Sequence, residues 1–227
     1  VKMFLKYIEI KNIRCISFYK KNFSKGINLI YGKNGAGKTT ILEAIHTLSI
    51  SKSFRSGTKA NMLKNNTGFM SIVGDVYDKK NKKIAFRKNL TEQKIILDKQ
   101  HITKLSDLIG FFPSIVLSPE DIDIVSGGNK KRLIYINKIL SITSKKYLKN
   151  LTRYNKLIKI RNVCLKKNSS YDEILIWDEQ IAPLAVCLWE MRVLFFKEFI
   201  GEFKKLWRNI NILEKTKIEY KYLQSYD

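Results

Sequence analysis

The run Gly32–Thr39 (Gly-Lys-Asn-Gly-Ala-Gly-Lys-Thr) constrains this chain more than any other feature. The apolar residues Ile27–Tyr31 before it predict a buried strand, and Thr40–Ile45 after it predict a helix. Glycines between a strand and a helix let backbone N–H groups curl around an anion, and the helix N-terminus adds its dipole. The pattern is a Walker A P-loop, and it predicts an α/β P-loop NTPase fold with a phosphate-binding site.

The predicted nucleotide site covers the whole run and one residue beyond it. Lys38 is expected to reach the β- and γ-phosphates, and the Thr39 hydroxyl is expected to ligate Mg²⁺ through the nucleotide. The predicted nucleotide-binding residues are Gly32, Lys33, Asn34, Gly35, Ala36, Gly37, Lys38, Thr39 and Thr40.

Hydrolysis is not predicted by the P-loop alone. A P-loop ATPase also needs a Walker B carboxylate at the end of an apolar strand, to hold Mg²⁺ and position water. The nearest candidate after Thr40 is Ile174–Glu179, which lies inside a helical pattern and is therefore rejected. No residue is assigned a catalytic role, and the prediction for this chain is ATP binding without hydrolysis.

The charge of the chain favours a polyanionic partner. With 43 Lys and Arg against 20 Asp and Glu, the formal net charge is +23 and the pI is about 9.9. Such a charge indicates nucleic acid before membrane. Only eight of the 43 basic residues are arginine, however, and an AT-rich genome would also produce this lysine excess. Both explanations stay open at this point.

The remaining composition is that of a globular protein in a reducing compartment. Cys15, Cys164 and Cys187 have neither metal-ligand nor disulfide-framework spacing, which favours a cytoplasmic location. No stretch approaches the roughly 18 uncharged apolar residues of a membrane span. The chain begins with Val1, so either a non-AUG start was translated literally or the true start is Met3.

Two domains are predicted, a β-rich P-loop lobe over 1–125 and a helical arm over 126–227. In the lobe, alternation predicts a first strand, and short β-like runs separated by charged turns predict an antiparallel meander. A further strand follows, and a capping pattern predicts a short helix near the end of the lobe. The predicted strands are Phe4–Lys11, Ser71–Tyr77, Lys83–Asn89, Lys94–Leu97 and Ser114–Leu117; the short helices are Lys104–Ile109 and one that starts at Ser118-Pro119-Glu120-Asp121.

In the arm, apolar residues at intervals of three and four predict two helices that pack antiparallel. The first covers Arg132–Leu165, and the second follows a turn at Lys166–Ser170. Pro183 should kink the second helix or mark where its regular part begins. The tail Lys217–Tyr222 alternates as if a strand were starting, and Trp177, Trp189 and Trp207 are expected in the arm core, with base stacking as the alternative.

Four blocks of this sequence resemble the RecF family of DNA replication and repair proteins, relatives of the SMC-type and other ABC-class ATPases. The third block is the most specific. The blocks are Ile10–Arg14; Gly32–Leu48 with Lys52–Arg55; Leu117–Asp121 with Gly127-Gly128, Lys131-Arg132 and Tyr135–Asn137; and Trp177–Glu179 with Pro183–Ala185.

This resemblance implies an incomplete ABC-type head that binds ATP with Mg²⁺ and dimerises on ATP. It also implies sequence-independent binding to single-stranded or gapped DNA, in recombinational repair and the SOS response, where RecO and RecR assist RecA loading. Arg14 and Arg55 are candidate contacts to a nucleotide phosphate or a partner head, although exposed loop arginines are common without such a role.

The sequence departs from the family pattern in one turn and in length. Asn129 stands where the family usually has Pro, and Arg132 is followed by Leu133 where the family usually has paired arginines. Family members also return from the arm with a long stretch that holds the ABC signature, Walker B and further strands of the sheet. Ser126–Gly128 is not assigned as that signature, because it follows the Pro-Glu-Asp block. A bare sheet edge with uncovered apolar surface is therefore expected.

Two alternatives to an active RecF-type protein remain. One is a truncated remnant of such a protein. The other is a small-molecule P-loop kinase, which the arm disfavours because it offers neither a substrate lid nor arginine-rich site residues.

Overall fold

The computed structural model describes residues 3–55, 62–78, 80–118, 121 and 123–210 of the 227-residue chain. The chain forms two compact units, Val1–Ser126 and Gly127–Asp227. The first unit is built on a β-sheet, and the second is built on helices.

The described strands of the first unit form one antiparallel sheet in the order β2-β1-β3-β4-β5-β6. Each strand except β2 and β6 therefore has a neighbour on both sides. The strands are β1 (Phe4–Ile13), β2 (Ile16–Asn22), β3 (Phe69–Asp78), β4 (Lys80–Asn89), β5 (Gln93–Leu97) and β6 (Gln100–Ile102).

One face of the sheet is covered by helix α1 (Lys38–Ile50). Ile8 and Ile10 of β1 are completely buried, as period-two alternation requires, and each contributes about 2 kcal/mol of apolar burial. Gly74 of β3 lets the helix approach closely, since a Cβ there would lie 2.6 Å from the Leu48 side chain. The core of this unit thus lies between α1 and the centre of the sheet.

Four of the strands predicted from a local sequence pattern are confirmed. The first strand and the three-stranded meander occur where the sequence predicts them, each within a few residues of its predicted bounds. The sequence does not predict β2, because this edge strand is exposed along most of its length and shows no apolar alternation.

The prediction of a buried strand over Ile27–Tyr31 is wrong for the described structure. This segment lies outside the described sheet, and Ile27, Leu29 and Tyr31 are 96%, 83% and 86% exposed. The strand predicted at Ser114–Leu117 is also not formed, and Leu117 is 90% exposed. An apolar run becomes a buried strand only where neighbouring strands accept its hydrogen bonds, and among the described residues none does so here.

The end of the first unit contains two short helices, α2 (Leu105–Leu108) and α3 (Asp123–Ser126). The first confirms the helix predicted at Lys104–Ile109. Among the described residues the second begins at Asp123, later than the predicted start at Ser118. The backbone N–H and the hydroxyl of Ser118 donate to the Asp121 carboxylate, at 2.6 and 2.9 Å, as in one half of a capping box. Pro119 and Glu120 lie outside the described residues.

The described part of the second unit contains three helices, α4 (Asn129–Thr143), α5 (Lys145–Lys166) and α6 (Tyr171–Ile210). The single helix predicted over Arg132–Leu165 is wrong, because Ser144 leaves the helical conformation and its hydroxyl caps α5 at the Tyr147 N–H, at 3.2 Å. The apolar period continues across this break, since both helices contribute to one core. The period therefore predicts the buried face but not the continuity of the helix.

Helices α5 and α6 pack antiparallel, as predicted. Residue pairs that contact each other run in opposite directions along the two helices, at Tyr147 with Arg192, Asn150 with Cys187, and Arg161 with Asp178. Helix α6 continues through Pro183, so this proline does not mark where the helix begins. The predicted strand at Lys217–Tyr222 lies outside the described residues. None of the helices described here is both long and apolar enough to span a membrane.

Candidate phosphate-binding site

The predicted P-loop connects the exposed segment 27–31 to α1. Gly32, Gly35 and Gly37 have φ values of 148°, 81° and 92°, which L side chains rarely adopt. A Cβ on Gly37 would also lie 3.2 Å from the Cys15 sulfur and from Cγ1 of Ile16. The loop therefore needs glycine at these positions for its conformation, and at Gly37 for packing as well.

Lys38 is the first residue of α1, and its side chain folds back over the loop. Its ammonium donates hydrogen bonds to the backbone oxygens of Gly32 and Lys33, at 2.7 and 2.8 Å. An ammonium has three donors, so one remains for an anion held in the loop. This arrangement places a positive charge at the mouth of the loop.

The start of α1 adds further attraction for an anion. The first N–H groups of a helix have no acceptor within the helix, and the first turn of α1 contains no acidic residue. The exposed residues Asn34, Gly35 and Ala36 complete the loop, and the Ala36 N–H donates to the Lys33 oxygen at 3.2 Å.

The two threonines after Lys38 differ in environment. Thr39 is half-buried, whereas Thr40 is buried with its hydroxyl 4.0 Å from the Cys15 sulfur. Only Thr39 therefore has a hydroxyl suited to a metal bound with nucleotide, and Thr40 is left with its backbone N–H. Among the described residues, no cluster of His, Cys, Asp and Glu could hold a metal ion by itself.

Arg14 lies in the turn between β1 and β2 and is bound to Glu43 of α1. Its Nε and a terminal nitrogen donate to the two carboxylate oxygens, at 2.6 and 2.7 Å. These hydrogen bonds raise the pKa of Arg14 above its usual range. The pair uses two of the five N–H donors of the guanidinium, so the contact of Arg14 with a phosphate or partner head stays a prediction.

Arg55, the second candidate arginine, is linked to Glu43 through Ser53. The Glu43 carboxylate accepts a hydrogen bond from the Ser53 hydroxyl, and that hydroxyl accepts one from the Arg55 N–H, at 2.9 Å. The structure thus brings the Arg14 turn, α1 and the Ser53–Arg55 segment together on one buried carboxylate. The Arg55 side chain remains exposed.

Sequence reasoning did not identify Glu43. The available signal was an acidic residue on the otherwise apolar face of α1, four residues after Thr39. His46 is buried one turn later, with Nδ1 2.9 Å from the Ser114 hydroxyl and its ring edge-on to Phe54.

Near the start of α4, the turn that departs from the family pattern is closed by Arg132. Its guanidinium donates to the Gly127 oxygen at 2.7 Å and to the Asn129 side chain at 2.9 Å. Asn129 therefore has a local structural role at the position where the family usually has Pro.

Comparison with known proteins places this geometry in a family. An AAA domain model matches residues 7–226. The DNA replication and repair protein RecF of Leptospira biflexa is 35% identical over 207 residues, which cover 88% of this chain and 56% of that protein. RecF of Bacteroides fragilis is 31% identical over 214 residues, which cover 92% of this chain and 58% of that protein.

Solved structures agree with the sequence relatives. A structure of the recombination mediator protein RecF with ATPrS, from the RecFOR pathway, matches with a TM-score of 0.88 at 30% identity, over 92% of this chain and 58% of that one. The Smc head domain of Pyrococcus furiosus matches in fold, with a TM-score of 0.50 at 17% identity, over 92% of this chain and 61% of that one. The predicted P-loop NTPase fold is confirmed. The chain spans 56–58% of the length of these RecF relatives, and it belongs to the RecF family.

Proposed function

We propose that this chain binds ATP with Mg²⁺ in the loop Gly32–Thr39 and acts in DNA repair and replication as a RecF-type protein. The single observation that carries the proposal is the position of Lys38, held over a glycine-lined loop at the start of α1. ATP is also the ligand of a RecF structure with a TM-score of 0.86 to this chain.

Each part of the site has a distinct role in the proposal. Backbone N–H groups of the loop and of the first turn of α1 surround the phosphates, and Lys38 moves from the loop carbonyls toward the β- and γ-phosphates. The Thr39 hydroxyl would help to hold Mg²⁺ bound with the nucleotide, and the ion would neutralise charge on the phosphates. Glu43 fixes the loop indirectly, through Arg14 and Ser53.

Nucleotide binding is tested by titrating the purified chain with a fluorescent ATP analogue in the presence of Mg²⁺. Lys38→Ala should weaken binding by about tenfold or more, because a charge-assisted contact to phosphate is lost. Lys21→Ala is the matched control, since Lys21 is an exposed lysine of β2 outside the loop. Equal affinities for the two variants would contradict the proposed site.

We do not propose that this chain hydrolyses ATP by itself. Asp178 and Glu179, the only acids of the rejected Walker B candidate, lie in α6, and Asp178 is bound to Arg161 at 2.5 Å. Without a carboxylate that positions water, hydrolysis should fall by several orders of magnitude. We therefore expect phosphate release at background level. Release above background that is abolished by Lys38→Ala would contradict this expectation.

DNA is the proposed partner, and family membership together with the net charge of +23 supports it. Lysines contact phosphates without reading bases, so binding should be independent of sequence and should weaken steeply with salt. Action with RecO and RecR in RecA loading, and dimerisation on ATP, are proposed from the family. Duplex, single-stranded and gapped oligonucleotides titrated at several salt concentrations test the DNA role, and affinity unaffected by salt would refute its electrostatic basis.

A further inference from the structure

Charge is distributed very unevenly between the two long helices of the second unit. Helix α5 carries eight basic residues and no acidic one, whereas α6 carries five basic and seven acidic residues. A uniform genomic bias toward lysine codons would act on both helices. The difference between them therefore indicates that the charge of α5 has its own cause.

Seven of the eight basic residues of α5 point away from the helix that packs against it. They follow one another mostly at spacings of three and four, which places them on one side of the helix. Every one of them is exposed, and no carboxylate of the described ranges forms an ion pair with them. This basic stripe consists of Lys145, Lys146, Lys149, Arg153, Lys156, Lys159 and Lys166.

The eighth basic residue of α5 faces another helix instead of solvent. Arg161 faces α6, where it forms a bidentate pair with Asp178 at 2.5 and 3.1 Å. The single cation of α5 that is directed toward α6 thus has a carboxylate partner, while the stripe presents its charge to solvent. Seven like charges on one side of a helix repel one another, and a polyanion relieves that repulsion.

We propose that the basic stripe of α5 is a docking surface for the phosphate backbone of duplex DNA. This inference rests on the proposed DNA binding and assigns it to one surface. From Lys145 to Lys166 the stripe extends about 32 Å along a straight helix, close to the roughly 34 Å of one turn of B-DNA. A rigid row of cations of that length matches a rigid row of phosphates.

The residues between the cations favour a duplex over other polyanionic surfaces. Besides the basic residues, the exposed positions between 145 and 162 are Thr152, Asn155 and Asn162. This part of the stripe therefore has no exposed aromatic side chain on which single-stranded bases could stack. In the whole stripe, the exposed apolar side chains are Val163 and Leu165, which lie beside its last cation and offer little area to a lipid interface.

The test compares two triple variants of the purified chain by fluorescence anisotropy with a 30-base-pair duplex over a salt series. Lys149→Gln/Arg153→Gln/Lys156→Gln removes three charges from the stripe. Lys197→Gln/Lys204→Gln/Arg208→Gln removes three exposed charges from α6 and is the matched control. Glutamine has nearly the helix propensity of lysine and arginine, so both variants should keep the wild-type circular dichroism spectrum and melting temperature.

The stripe variant should bind the duplex about tenfold or more weakly at fixed salt, and its log–log salt slope should be shallower by about 2 to 3, since each phosphate contact contributes about 0.9. The α6 variant should lose less than about threefold. The single variant Arg153→Gln should change the slope by about 1.

Three results would overturn the inference. Equal losses in both triple variants would show diffuse attraction, with DNA binding intact and the docking surface wrong. A loss confined to a single-stranded 30-mer, or to phosphatidylserine vesicles, would assign the stripe to another partner. No duplex binding by the wild-type chain at low salt would refute both the surface and the proposed DNA role.

Discussion

The ion pair between Arg14 and Glu43 gives the sharpest test of how the nucleotide loop is held. Arg14→Ala removes two hydrogen bonds, of 2.6 and 2.7 Å, from a carboxylate that solvent does not reach. Truncating one member of a buried pair costs about 3–5 kcal/mol, because the other charge is left without its partner. The Arg14 side chain is 24% exposed and Ser53 keeps one hydrogen bond on the carboxylate, so we expect about 3 kcal/mol.

The cost should be asymmetric between the two partners. Glu43→Ala leaves Arg14 able to turn toward water, whereas Arg14→Ala leaves a fully buried carboxylate. The double variant should therefore cost about 2 kcal/mol less than the sum of the single variants. Arg14 has a φ of 51°, but arginine and alanine are strained there to a similar degree, so the backbone does not contribute to the difference.

Urea denaturation of the wild type, both single variants and the double variant measures this coupling. Arg87→Ala is the matched control, because Arg87 is an exposed arginine of β4 and its truncation should cost about 0.5 kcal/mol or less. If Arg14→Ala costs no more than this control, or if the two single losses are additive, the pair does not stabilise the P-loop unit and the reasoning is refuted.

Three further predictions concern single positions. Gly37→Ala should lower both the free energy of unfolding, by about 1–2 kcal/mol, and the affinity for the ATP analogue, because φ is 92° and a Cβ would contact Cys15; unchanged values would contradict it. The Arg161 hydrogen bond holds the pKa of Asp178 below its usual range, so the stability from this pair is complete above about pH 4 and is lost as the pH falls through the lowered pKa. Asp178→Asn should therefore be less stable than the wild type at pH 7, and the difference should shrink in urea melts as the pH falls below about 4; a difference independent of pH would count against the linkage. Leu29→Thr should change the free energy of unfolding by about 0.5 kcal/mol or less and should reduce binding of the dye ANS, and a loss near 2 kcal/mol would mean that Leu29 is buried in solution.

The P-loop was predictable because its signal is contiguous. Glycines at positive φ, a lysine at the helix start and the helix itself all fall within a short stretch, and each has a local physical reason. The antiparallel meander was predictable for the same reason, since β3, β4 and β5 are short β-like runs that follow one another in the chain and are joined by short turns. Where the sequence signal and the structural cause lie in the same few residues, the prediction holds.

The contacts that support the loop were not predictable, because their partners are distant in the chain. Arg14 and Glu43 are 29 residues apart, and the sequence contains no pattern that pairs them. The break at Ser144 was also not predicted. The spacing of apolar residues indicates which side of a helix is buried, but it does not change at a one-residue interruption between two helices that share a core.

The exposed state of Ile27–Tyr31 changes the view of how the phosphate loop is positioned. The sequence suggested that a buried strand holds one end of the loop and α1 the other. In the described structure α1 is anchored through the buried residues Ala44 and Leu48, while the preceding segment contacts the core only through the half-buried Ile30. The hairpin of β1 and β2 supplies the missing support, because Ile16 packs beside Gly37 and the adjoining turn binds Glu43. Nucleotide affinity should therefore depend more on the turn between β1 and β2 than on the apolar run directly before the loop.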